Sequence, residues 1–235
     1  MAKVYLAAGH GGADPGAVGN GLKEKDLNLT ITLACRDVLE WHGVSVKMSR
    51  VKDVEIPWEQ EVKECNAYAP DLAVNIHNNA GGGDGAEVFH HYGGGAGKTL
   101  AENILKEIVA LGQNSRGAKT RRLDSGADYY YFIREISCPS IIVEGAFLDT
   151  AKDIQILDTA AEQKAFGVAI AKGILRSLNI AYLGEGSSRE DPPQPETSGA
   201  LYKVQVGAFR ERKNAEALEK KLEAAGFDAF IVKTQ

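Results

Sequence analysis

Three apolar runs in this sequence end on a side chain that can bind a metal or carry a proton. "VYLAAGH" stops at His10, "DLAVNIH" at His77 and "SIIVE" at Glu144. A fourth group, Glu24, sits where the periodic stretch "GLKEKDLNL" begins. Taken alone, a histidine at a strand end is an ordinary boundary residue. A glutamate closing an apolar run is harder to dismiss, because an unpaired buried carboxylate is costly. Two His and one Glu form a hydrolytic zinc set that leaves the fourth position to water. The residue types leave open which glutamate completes that set and which takes a proton from water. The glycines of "GHGG" let the chain turn sharply after the strand and keep the site open to substrate.

These groups meet only if the strands that carry them are neighbours. Between the short strands "KVYLAAG" and "VSVKM", Leu27, Ile31, Ala34, Cys35 and Val38 recur at helical spacing. "AEVFHHY" reads as a further strand. Leu100, Ile104, Ile108 and Leu111 mark a second helix that stops at Gly112. "PSIIVEGAFL" is long enough for a central strand buried on both faces, and a last helix is expected over residues 160 to 178. This rhythm predicts an α/β fold with a central, mostly parallel sheet flanked by helices. In such open sheets ligands bind outside the carboxyl ends of the strands, so His10, His77 and Glu144 are expected to converge there. His42, in "WHGV", reads as a helix-end residue, and His90 and His91 read as surface. Cys35, Cys65 and Cys138 are odd in number with no close spacing, and are expected to be reduced.

The bulk properties exclude other classes. The chain has 235 residues, 44% hydrophobic and 25% charged, with a net charge of −5. That charge argues against nucleic acid as a partner. No run approaches the ~18 apolar residues of a membrane span. "MAKVYLAAGH" lacks the features of a secretory signal, so the chain is expected to be made in the cytoplasm without a signal peptide. Residues 184–199, "GEGSSREDPPQPETSG", read as a linker. They separate a domain over 1–183 from a small βαβ module over 200–235.

"AGHGGADPGAVGNGLKEKDLNL", "NIHNNAGGGDGAEVF" and "PSIIVEGAFL" resemble the three motifs of the zinc-dependent N-acetylmuramoyl-L-alanine amidases, the Amidase_3 family. The resemblance implies a sheet of about six strands and a Zn2+ ion held by His10, Glu24 and His77. Glu144 corresponds to the family's essential glutamate. The implied activity is peptidoglycan hydrolysis at the amide between N-acetylmuramic acid and the L-alanine of the stem peptide, lysing cell walls as an endolysin or a mother-cell amidase. Such an enzyme acts on the wall after release. Asn78, Asn79 and the backbone at Gly11 and Gly12 are candidates to hold substrate or its oxyanion. One departure stands out. Many members carry an Arg shortly before the Asn of "WEQEVKECNAY", where this chain has Glu61 before Asn66.

"LYKVQVGAFRERKNAEALEKKLEAAGFDAFIVKT" resembles the SPOR repeat, which binds peptidoglycan. Tyr202, Val204, Val206 and Ala208 alternate as in a half-buried strand. Leu218, Leu222 and Ala225 make a helix face, and Gly226 caps it. The stretch supplies one βαβ unit where a full SPOR domain has a pair. Completion by a second copy, giving a homodimer through residues 200–235, is therefore expected. Two other functions fit the same residues: a zinc peptidase acting on another bond of the stem peptide, and a non-catalytic wall-binding protein.

Overall fold

The computed structural model describes residues 1–184, 212–224 and 231. In chain order the elements are β1 (Lys3–Ala8), β2 (Val18–Gly19), β3 (Leu22–Lys23), α1 (Glu24–Trp41), β4 (Ser45–Met48), α2 (Trp58–Tyr68), β5 (Leu72–Asn79) and β6 (Ala86–His90). They continue with α3 (Gly95–Val109), β7 (Ser115–Lys119), α4 (Tyr131–Glu135), β8 (Ser140–Phe147), α5 (Ala151–Ile154), α6 (Ala160–Ser177) and α7 (Arg212–Ala224).

Six strands form one sheet in the order β4-β1-β5-β8-β6-β7. All neighbours run parallel except β6 and β8, which are antiparallel. The middle strands are apolar on both faces because both faces are covered. Leu6, Val74, Ile76 and Val143 pack with α1, α3 and α6 in one core. Tyr5, Ala7, Ala73, Phe89 and Ile142 share a second core with residues of α2 and α4. Helix α6 packs closely on both α1 and α3. A Cβ on Gly167 would lie 2.5 Å from the Ile31 carbonyl oxygen, and one on Gly173 2.5 Å from the Ile104 Cα. The start of α6 is fixed by a capping box between Thr159 and Glu162.

His42 caps the end of α1, as its position in "WHGV" suggests. His90 departs from expectation. It is 5% exposed, with Nδ1 2.8 Å from the His91 carbonyl, because α3 folds back over the end of β6. Its neighbour His91 is half exposed and sits 3.1 Å from Asp128. Cys35 is fully buried; Cys65 and Cys138, distant in sequence, pack into the second core together.

The chain divides into two compact units, Met1–Glu185 and Gly186–Gln235. In the second, α7 carries Leu218 and Leu222 half-buried. The expected strand residues Tyr202, Val204, Val206 and Ala208, the positions Ala225 and Gly226, and the linker from residue 185 lie outside the described residues. Among the described residues no helix is long and apolar enough to cross a membrane.

Candidate metal centre

The neighbouring parallel strands β1, β5 and β8 end at one edge of the sheet. His10 follows β1 with a left-handed backbone (φ 61°), a conformation that few non-glycine residues adopt. Asp14 helps to hold it there: its Oδ2 lies 2.7 Å from His10 Nδ1, and its Oδ1 accepts from the Gly16 amide at 3.0 Å. This bond turns His10 Nε2 toward Glu24 Oε2, 3.1 Å away. The β2–β3 hairpin returns the chain so that α1 starts at Glu24, where the helix N-terminus favours an acid.

Glu24 is 3% exposed, a costly place for a carboxylate unless its oxygens are satisfied. They are. Oε2 accepts from the Ala17 amide at 2.8 Å, and Oε1 from the Asn78 amide at 3.0 Å and Asn28 Nδ2 at 3.2 Å. His77 Nδ1 lies 3.1 Å from Oε1. Burial works against ionisation, but the hydrogen bonds with His10 and His77 hold the carboxyl far below the usual carboxylate range. The bond to Glu24, joined by Asp14, lifts His10 to about 9 despite its partial burial.

Two glycines make the approach possible. A Cβ at Gly9 would stand 2.1 Å from His77 Cε1, and one at Gly16 2.5 Å from Glu24 Oε2. With neither present, one ligand atom each of His10, Glu24 and His77 falls within 4.8 Å of the others. The two rings meet edge to face at 4.9 Å. Two imidazoles and a fully supported carboxylate, converging at an open strand edge, suit a borderline cation.

Glu144 is the register partner of His77 across β5 and β8. Burial, reinforced by Glu24 and Glu87 and opposed by His77, pushes its carboxyl up to about 7. A cation site beside a carboxyl that titrates near neutrality is the equipment of hydrolysis.

The family profile of N-acetylmuramoyl-L-alanine amidases matches residues 4–176. This chain belongs to that family. A SPOR domain profile matches residues 182–235. The chain is 34% identical over 236 residues to the N-acetylmuramoyl-L-alanine amidase CwlM of Bacillus licheniformis, covering 99% of this chain and 85% of the relative. The sporulation-specific N-acetylmuramoyl-L-alanine amidase of Bacillus subtilis (strain 168) matches with the same identity and coverage. Among solved structures, the N-acetylmuramoyl-L-alanine amidase AmiC2 of Nostoc punctiforme superposes with a TM-score of 0.68 at 31% identity, over 76% of this chain and 97% of that one.

Within the amidase domain, the four substrate-side candidates are placed differently from the metal cluster. Asn78 is 3% exposed and points inward, its Nδ2 donating to Asn28 Oδ1 at 2.9 Å. It sits one residue after His77, and side chains alternate along a strand, so it faces the opposite side of the sheet. The Gly11 amide donates to the Asp14 carbonyl and the Gly12 amide to Asp53 Oδ1, so neither is left for an oxyanion. Asn79 remains on the His77 face and donates to Glu87 Oε1 at 3.2 Å.

Two supporting residues of the amidase domain were not singled out from sequence: Asn28 and Arg50. Arg50 is 4% exposed and donates to the carbonyls of Ala8, Gly9 and Lys25, tying the end of β1 to the start of α1. Glu61 projects from α2. Burial pushes its carboxyl up to about 7, opposed by His77 and by a hydrogen bond with Ser49.

Proposed function

We propose that this amidase hydrolyses the bond between N-acetylmuramic acid and L-alanine in peptidoglycan, with zinc held by His10, Glu24 and His77 and with Glu144 as the general base. The observation that carries this reading is the cluster of three ligand atoms within 4.8 Å, with Glu144 opposite one of them on the next strand. Family membership supports the reaction. The donor set of two His and one Glu supports zinc.

When bound, the ion supplies Lewis acidity toward the scissile carbonyl and toward water. Asp14 keeps His10 in one orientation, and Glu24 is kept ionised by its hydrogen bonds. Glu144, with a carboxyl near neutrality, accepts the proton of the attacking water. It then delivers that proton to the leaving nitrogen of L-alanine.

The SPOR-matching tail supports attachment to peptidoglycan. In this reading residues 184–199 act as a linker, and residues 200–235 bind the wall as a homodimer. The enzyme reaches the wall on release from the producing cell.

Digestion of purified peptidoglycan tests the reaction. The amidase leaves new L-alanine N-termini on intact stems. Trimmed D-alanine ends would instead assign a peptidase, and binding without any new terminus would assign a wall-binding protein.

A further inference from the structure

A patch of positive charge lies beside the catalytic edge and takes no part in the reaction described above. Arg116 Nε donates to Glu87 Oε2 at 2.8 Å, and Lys119 Nζ to the same oxygen at 2.5 Å. Glu87 is buried, and it is the antiparallel partner of Glu144. The acceptor therefore lies on the Glu144 face of the sheet, and it draws both cations over that face. One carboxylate facing two cations leaves a unit of positive charge uncompensated. Each cation keeps 37% of its side-chain surface exposed, against 9% for Glu87. Among the described residues Arg116 makes no hydrogen bond through Nη1 or Nη2, and its guanidinium is steadied over the Phe147 ring at 5.0 Å.

We propose that Arg116 and Lys119 form a carboxylate-binding subsite that reads the second residue of the stem peptide. The proposal rests on the amidase reading above. That second residue is a glutamate joined through its side-chain carboxyl, which leaves its main-chain carboxylate free or, in some walls, amidated. The spacing fits. Strand β7 lies two strands from β8, about 9–10 Å across the sheet. An extended peptide advances about 3.3–3.6 Å per residue, so this carboxylate stands about 7 Å from the cleaved nitrogen. Glu144 reaches that nitrogen over about 3 Å. Together those lengths bridge the gap from β8 to β7. A guanidinium with two open nitrogens matches the two oxygens of a carboxylate, and such charge-assisted pairs are about twice as strong as neutral ones. An amide in the same place offers one acceptor and no charge.

The test compares two purified muropeptides that differ only in whether this carboxylate is free or amidated. The full-length enzyme is expected to cleave the acid with a kcat/KM about tenfold higher, mostly through KM. R116Q and K119Q should each shrink that ratio, the double variant should bring it close to one, and R116K should keep part of it. Two results overturn the subsite. One is equal cleavage of both muropeptides by the unaltered enzyme. The other is an equal slowing of both by R116Q, which would mean the cations serve only to hold Glu87. If neither muropeptide is cut at the muramic acid–alanine bond, the amidase reading itself fails and the subsite falls with it.

Discussion

His77 and Glu144 are direct partners in the parallel β5–β8 ladder. One set of backbone hydrogen bonds thus fixes a cluster imidazole and the neighbouring carboxyl to each other. Replacing Glu144 by Gln keeps shape and removes the proton acceptor. E144Q should retain its metal, read by elemental analysis, while kcat falls by roughly 10²–10⁴. An E144Q enzyme that still lyses walls would remove Glu144 from the mechanism.

The same carboxyl sets an acidic limit. A base must be ionised to accept a proton, and Glu144 is pushed up to about 7, chiefly by burial. Activity should therefore be lost as pH falls through that region. A cation near His77 favours the ionised form, so the limb lies at or below about 7. A kcat/KM profile that stays flat down to an ordinary glutamate pKa, about 4.3, would contradict this.

Metal and activity should leave together. Chelation should inactivate the enzyme, and Zn2+ should restore it. His10→Ala or His77→Ala should abolish both metal content and cleavage. Affinity should weaken in acid, because an imidazole must be neutral to coordinate. Full cleavage in the presence of excess chelator would end the metal reading.

Among the described residues, the Asp14 side chain hydrogen-bonds only His10 and the Gly16 amide. Its substitution should act through orientation. D14N should lower metal affinity about 10–100-fold, measured by competition with a chromophoric chelator, with little change in Tm. Unchanged affinity would show that the left-handed backbone alone holds His10.

Gly9 offers a sharper test of placement. Its backbone does not require glycine, yet an added methyl would collide with the His77 ring. G9A should cost about 1–3 kcal/mol in stability and lose metal well below its unfolding temperature. Wild-type metal affinity in G9A would mean that the ring can move freely.

A chain ending at Leu183 should keep cleavage of soluble muropeptides and bind intact sacculi more weakly. Light scattering should find it monomeric while the full chain is dimeric. A full chain that stays monomeric at roughly tens of micromolar, a range where weak association is visible, would rule out the paired tail.

The strand-end residues were legible because polarity changes abruptly at the end of an apolar run. His10, His77 and Glu144 each mark such a change, and the strands carrying them are indeed adjacent. Asn28 was hidden because its contacts run to Gly9 and Glu24 across a turn of helix and a loop, which periodicity does not encode. Helix α2 buries only Val62 and Cys65, too narrow a stripe to register. Strand β7, "SRGAK", lies at the sheet edge and lacks apolar alternation. His90 reads as surface in the sequence because its cover, α3, arrives later in the chain. Asn78 followed from proximity to His77 in sequence, where the pleat places neighbours on opposite faces.

The sheet order also dictates when this enzyme becomes one. The three cluster residues come from β1 to β5 and are all present early in the chain, whereas β8 comes later and inserts between β5 and β6. A chain interrupted before Ser140 lacks the middle of its sheet and has two open strand edges facing one another. No partial assembly can hold both the ligand cluster and Glu144 in place. A fragment that ends before Ser140 therefore lacks Glu144 and the strand that sets it beside His77, and is expected to carry no lytic activity.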